Sequence, residues 1–377
     1  MGGNSIEKLS LYGQSVWLDN ISRSLISGGK LKELIGRGLR GMTSNPTIFD
    51  KSISGGNEYD EEIKKFCSLE KTTFEIYDKL TTGDIQDACD LFRGVYGETG
   101  GLDGYVSLEI NPKLAFKTRE TIEEGKRLLK SVNRPNLMLK VPSTDEGFGA
   151  VEELTASGAN INITLIFSLE QYIKTAGAYM RGIRRLLDSG RDARKVHSVA
   201  SVFVSRIDTA CDKLLDEEAS REGNRQRKEE KTALKGKAAV ANSAVIYGKF
   251  LEIFSSGEFK KLKEKGANIQ RPLWGSTSAK NPAYSDIKYV TELIAKNTVN
   301  TMPGATLEAF LDHGAVREAL SRDISKSADT IQALGNMGID INTVCAKLLK
   351  DGVGAFVKSF DSLLDTIEKK SKELCKK

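Results

Sequence analysis

Short apolar runs alternate with amphipathic stretches along the whole chain, and no break in composition divides it into blocks. That succession is the signature of an α/β fold with a parallel sheet. The runs predict strands over Ser15–Asn20, Gly41–Asn45, Gly104–Ile110, Asn136–Val141, Asn160–Phe167, His197–Val204, Arg271–Ser276 and Thr298–Met302. Between several of them a 3.6-residue period predicts helices, as at Thr118–Ser131 and Leu169–Ser189. Eight such strands suggest closure into a (β/α)8 TIM barrel with additional helices. An open, doubly wound sheet is the alternative, but no G-x-G-x-x-G or Walker-type glycine run follows any strand. The expectation is one domain over residues 1–377, with helical insertions and a C-terminal helical extension.

Several of these strands end in polar residues: Asp19, Asn45, Glu109, Lys140, Thr164, Ser201, and Ser276 with Thr277. A barrel keeps its active site at the C-terminal ends of its strands. Within Leu137–Thr144 a lysine sits inside an apolar run that Pro142 stops. Period two places Met138 and Lys140 on one face and Leu137, Leu139 and Val141 on the other, so in a barrel Lys140 points inward near the top. A dry ammonium tends to give up its proton, and a free amine attacks a ketone to form a Schiff base. The plainer alternative is that Lys140 snorkels to solvent or forms a structural ion pair. Asp19 and Glu109, at the ends of other apolar strands, supply the acid and base that imine chemistry needs; each alone could equally be a helix cap or an ion-pair partner. Thr164 could orient a water, or simply pack as a β-branched strand residue.

Charge and composition narrow the choice further. Fifty-six Lys and Arg against 51 Asp and Glu give +5, too dilute for a nucleic-acid binder but compatible with a small anionic substrate. No run is long enough to span a membrane, and the first residues lack the apolar core of a secretory signal. Five scattered cysteines suggest a reducing, cytoplasmic setting. Only His197 and His313 are present, which leaves little material for a zinc site or a His-centred triad. The mixed-charge stretch Glu217–Lys237 reads as a solvated helix face and the basic tail Lys369–Lys377 as frayed, with Cys375 an idle thiol. Residues 57–98, 217–265 and those after His313 could be packing helices, lids or subunit contacts.

Five motifs, in order, closely resemble those of transaldolases: Met42–Phe49 (MTSNPTIF), Leu139–Thr144 (LKVPST), Asn160–Ser168 (NINITLIFS), Ala200–Asp208 (ASVFVSRID) and Leu273–Pro282 (LWGSTSAKNP). The resemblance implies a TIM barrel of the pentose phosphate pathway that needs no metal or organic cofactor. It implies transfer of a dihydroxyacetone unit from sedoheptulose 7-phosphate to glyceraldehyde 3-phosphate, giving erythrose 4-phosphate and fructose 6-phosphate. Carried over by motif, Lys140 becomes the Schiff-base lysine and Asp19 the acid/base at the carbon–carbon bond. Glu109 and Thr164 become the pair that positions a water. Ser44, Asn45, Asn162 and Ser201 would surround the three-carbon unit, and Arg206 with Lys280 would reach the sugar phosphate. Shorter transaldolases carry Arg near the place of Lys280, so a point charge here replaces a planar fork. Small aldolase relatives place a tyrosine where this chain has Phe203, and phenylalanine offers no proton to a released ketone. The implied partners are phosphosugars; composition argues against nucleic acid and membrane, and the sequence leaves the oligomeric state open, with a homodimer as one possibility. The rivals are a class I aldolase that releases free dihydroxyacetone and an inactive barrel that only binds phosphosugars.

Overall fold

The computed structural model describes residues 3–320 and 324–375. Eight parallel strands close in chain order: β1 (Gln14–Asp19), β2 (Gly41–Thr43), β3 (Tyr105–Glu109), β4 (Leu137–Pro142), β5 (Ile161–Ile166), β6 (Ser198–Phe203), β7 (Gln270–Gly275) and β8 (Thr298–Met302). β8 pairs back onto β1, so no sheet edge remains. Each strand lies within two residues of its expected bounds, and the two expected helices stand at Thr118–Val132 and Leu169–Asp188. β2 stops at Thr43 rather than Asn45 because Asn45 caps the next helix. Its side chain accepts the Ile48 N–H, and Pro46 occupies the first helical position.

Alternation along the strands separates two apolar regions. Trp17, Tyr105, Met138, Val199, Leu273 and Val299 fill the lumen, while Leu137, Leu139 and Val141 face the surrounding helices. Gly41 is obligatory for the first set: a Cβ there would lie 2.6 Å from the Trp17 indole, so any side chain would expel the ring. Below this layer, at the N-terminal ends of the strands, Arg271 pairs with Asp103 at 2.8 Å.

The additional helices fall into three groups. Pro46–Ser54, Asp60–Ser68, Thr73–Leu91 and Arg93–Glu98 lie between β2 and β3, and Ser205–Arg221, Arg225–Ala233, Ala238–Ser255 and Gly257–Glu264 between β6 and β7. Gly304–His313, Ser325–Asn336 and the 34-residue helix Ile341–Leu374 follow β8. That last helix crosses the C-terminal end of the barrel, packing on Pro46–Ser54, Asp60–Ser68, Thr73–Leu91, Ser205–Arg221 and β5.

Two surface expectations need amendment. The charged stretch 217–237 is mostly exposed helix, but Lys231 is buried, bonded to the Glu218 carbonyl and to Glu222 at 3.3 Å. The basic tail is not frayed: it stays helical to Leu374, and Lys370 is held by Asp60 at 2.6 Å and the Gly56 carbonyl at 2.7 Å. Residues 376–377 lie outside the described residues. Among those described, no helix is long and apolar enough to cross a membrane.

Candidate active site

Strand register assembles the centre of the site. Glu109 on β3 and Asn162 on β5 are the ladder neighbours of Lys140 on β4, so the amine stands between them on the inner face. Lys140 is only 4% exposed, and its Nζ reaches the Ser44 carbonyl and Glu109 Oε2, both at 3.2 Å. Asp19 ends β1 across the lumen, where it accepts a 2.7 Å hydrogen bond from Thr43 Oγ1. Burial pushes the carboxyls of both Asp19 and Glu109 above their ordinary range, and the nearby Lys140 charge opposes this. Two carboxyls reluctant to ionise beside one amine can hold and pass protons.

The wall around this centre is hydrogen-bonded in sequence. Ser201 donates to Asn162 Oδ1 at 2.5 Å, and Asn162 donates to Ser107 Oγ at 3.1 Å. Thr164 differs: its buried Oγ1 has no partner among the described residues. It lies where the β5–β6 register shifts, next to Leu165 with φ +60°, a backbone setting that re-aims side chains at a strand end. An unpaired hydroxyl there can hold a water.

A cavity of about 250 Å³ opens above Lys140, and Asp19, Asn45, Lys140, Ser201, Arg206 and Lys280 all line it. Glu109, Thr164, Asn162 and Ser44 are not among the lining residues. Ser44 commits its hydroxyl to the Ser107 carbonyl at 2.7 Å, so it reaches the amine through its own carbonyl. Arg206 is half-buried, which depresses its pKa, and Lys280 donates to Ser278 Oγ at 2.7 Å. Neither has a carboxylate partner among the described residues, the state expected of cations kept for an anionic ligand.

The chain matches the family model described as Transaldolase/Fructose-6-phosphate aldolase over residues 16–367. It belongs to that family. It is 44% identical over 374 residues to a transaldolase of Trichodesmium erythraeum, covering 98% of both chains. It is 44% identical over 366 residues to a transaldolase of Saccharopolyspora erythraea, covering 97% of each, and 42% identical to a transaldolase 2 of Nostoc, covering 99% of each. The closed eight-stranded barrel and the transaldolase motifs thus sit in one molecule, whose enzyme class is transfer of aldehyde or ketone residues.

Among the cavity-lining residues that sequence reasoning missed are Thr43, Lys51 and Phe356. Thr43 was legible, since it precedes Ser44 and period two turns it inward beside Asp19. Lys51, on the helix that Asn45 caps, left only a weak helical-spacing signal. Phe356 left none, because it arrives from a helix far along the chain.

Proposed function

We propose that this transaldolase carries its three-carbon unit on Lys140, with Asp19 as the acid/base and Glu109 with Thr164 holding the water. The observation that carries this is a lysine 4% exposed, in contact with Glu109 at 3.2 Å, lining a cavity it shares with Asp19, Arg206 and Lys280. The amine adds to the C2 ketone of the donor, and water leaves as the imine forms. Asp19 takes the proton of the C4 hydroxyl, the C3–C4 bond breaks, and its electron pair moves into the imine. The aldehyde departs. The resulting enamine attacks the next aldehyde, Asp19 returns the proton to the new alkoxide, and water releases the ketose and the free amine.

Phosphosugars suit the site because Arg206 and Lys280 lie at the cavity wall with no salt bridge to a carboxylate among the described residues. The full exchange converts sedoheptulose 7-phosphate and glyceraldehyde 3-phosphate to erythrose 4-phosphate and fructose 6-phosphate. Asn45, Asn162 and Ser201 would meet the hydroxyls of the bound unit, and Ser44 would support them from behind. Phe203, which lines the cavity, offers no acidic proton, which supports transfer over simple aldol cleavage. A single-domain, homodimeric, cytoplasmic enzyme completes the proposal; five free cysteines support the last point, and light scattering tests the dimer.

The decisive experiment incubates the protein with fructose 6-phosphate, reduces with borohydride and maps the adduct by peptide mass. A dihydroxyacetone adduct on the peptide containing Lys140 is the expected result. Its absence refutes the proposal, and copious free dihydroxyacetone without any acceptor would favour the aldolase instead.

A further inference from the structure

The amine of Lys140 has a roof that none of the eight strands supplies. Phe356, from the helix Ile341–Leu374, places its ring centroid 5.6 Å from Lys140 Nζ and is itself 5% exposed. It lines the cavity together with Phe203 of β6. Its placement is built into the helix face. One turn earlier, a Cβ on Gly352 would lie 3.0 Å from a Leu165 methyl, so glycine lets the helix settle onto β5 beside Thr164. One turn later, Phe360 is 1% exposed and packs edge-on against Tyr77 at 5.1 Å. Gly352, Phe356 and Phe360 therefore form one helical stripe pressed onto the barrel mouth.

The chemistry gives such a roof a task. After C3–C4 cleavage the unit on Lys140 is an enamine whose carbon can gain a proton from water instead of an aldehyde. A C–H bond then forms, water adds across the C=N bond, and free dihydroxyacetone leaves with the amine restored. A benzene ring delivers no proton and displaces the water that could. We propose that Phe356 is a specificity-determining positioning residue: it shields the enamine carbon on Lys140 from bulk water, so that the three-carbon unit waits for an aldehyde acceptor. The idea rests on Lys140 as the imine-forming residue, and it assigns the C-terminal helix a part in the partition between transfer and hydrolysis.

The test compares wild type, Phe356→Ala, Phe356→Leu and Gly352→Ala with fructose 6-phosphate, with and without erythrose 4-phosphate. Free dihydroxyacetone, transfer product and the borohydride adduct on the Lys140 peptide are measured together. Phe356→Ala is expected to raise the ratio of free dihydroxyacetone to transfer product by roughly tenfold while the adduct persists. Phe356→Leu, which restores apolar bulk, should return most of the way to wild type. Gly352→Ala, whose added methyl crowds Leu165 with the ring intact, should shift the ratio in the same direction as Phe356→Ala but by less, and it carries the test if that variant does not fold. An unchanged ratio in the folded variants, with the adduct present, overturns the roof alone. No adduct in wild type overturns the assignment of Lys140, and the roof with it.

Discussion

Both ends of this barrel hold a cation against a carboxylate, and both pairs are shut away from bulk water. At the N-terminal end Arg271 meets Asp103 at 2.8 Å with both side chains 6% exposed; at the C-terminal end Lys140 meets Glu109 at 3.2 Å with 5% and 4%. The difference lies in how fully each pair is spent. Arg271 also donates to Ser15 Oγ at 2.8 Å and the Leu102 carbonyl at 2.7 Å, while Asp103 accepts from Ser15 at 2.7 Å and from the Trp17 indole at 3.2 Å. A planar fork and a saturated carboxylate lock each other. Among the described residues Lys140 makes two hydrogen bonds, both at 3.2 Å, and it lines a cavity. Burial alone therefore does not set the two pairs apart; the number of hydrogen bonds each makes, and the cavity beside one of them, does.

Exchanging the two chemistries is the most severe way to break that contrast. Lys140→Arg keeps the positive charge but supplies no amine that can form an imine, so transfer should fall by on the order of 10⁴-fold or more. A coupled assay with fructose 6-phosphate and erythrose 4-phosphate reads the loss, and the borohydride adduct should vanish with it. At the other end, Asp103→Ala leaves Arg271 buried with its charge unpaired and should lower stability by about 3–5 kcal/mol. Urea unfolding measures this, while imine trapping per folded molecule should match wild type. Lost trapping at unchanged stability would erase the distinction between the two ends.

The same contrast marks what could be read from the chain. Strand alternation is local, so the inward face of β4 and the polar strand ends were legible, and parallel register then made Glu109 and Lys140 neighbours. Asp19 was reachable by the same logic, because closure of the barrel brings β1 around to the others. The Arg271–Asp103 pair was not, since Asp103 lies in the loop before β3 and outside any periodic pattern. Phe356 depends on where a helix comes to rest across the barrel, which hydrophobic spacing along that helix does not specify. Ser44 was legible as a residue of the site but not in its manner of contact, because its turn out of β2 aims the hydroxyl at Ser107.

Asp19 offers a smaller effect and a sharper one. Burial holds its proton to a higher pH than an ordinary aspartate, so the acid limb of kcat/KM should fall as pH drops through that raised value. Asp19→Asn should reduce transfer on the order of 10²-fold and remove that limb from the profile. Stability moves the other way. A carboxyl that binds its proton more tightly in the folded state contributes stability below its unfolded pKa and loses it as pH rises through the folded one. The neutral amide escapes that loss, so Asp19→Asn should melt higher than wild type near neutral pH, read by calorimetry. A variant that is both less active and less stable would mean Asp19 is structural, as Asp103 is.

The mildest test concerns Lys51, which lines the cavity wall with Arg206 and Lys280. None of the three has a carboxylate partner among the described residues, unlike the cation at the N-terminal end. Burial lowers the pKa of Lys280, and the Arg206 charge lowers it further; Asp19 opposes this and Lys51 adds a smaller depression, so three cations share one region with a single carboxyl acting against their repulsion. A phosphate dianion would relieve that repulsion, and Lys51, exposed and flexible, should contribute the least specific share of its binding. Lys51→Ala should therefore raise KM for fructose 6-phosphate by roughly tenfold, about 1.4 kcal/mol, with kcat nearly unchanged. Trapping with unphosphorylated dihydroxyacetone separates charge from structure: it should be indifferent to the substitution, because the amine, Asp19 and Glu109 are untouched. An equal loss with both ligands would show that Lys51 supports the cavity wall and takes no part in holding phosphate.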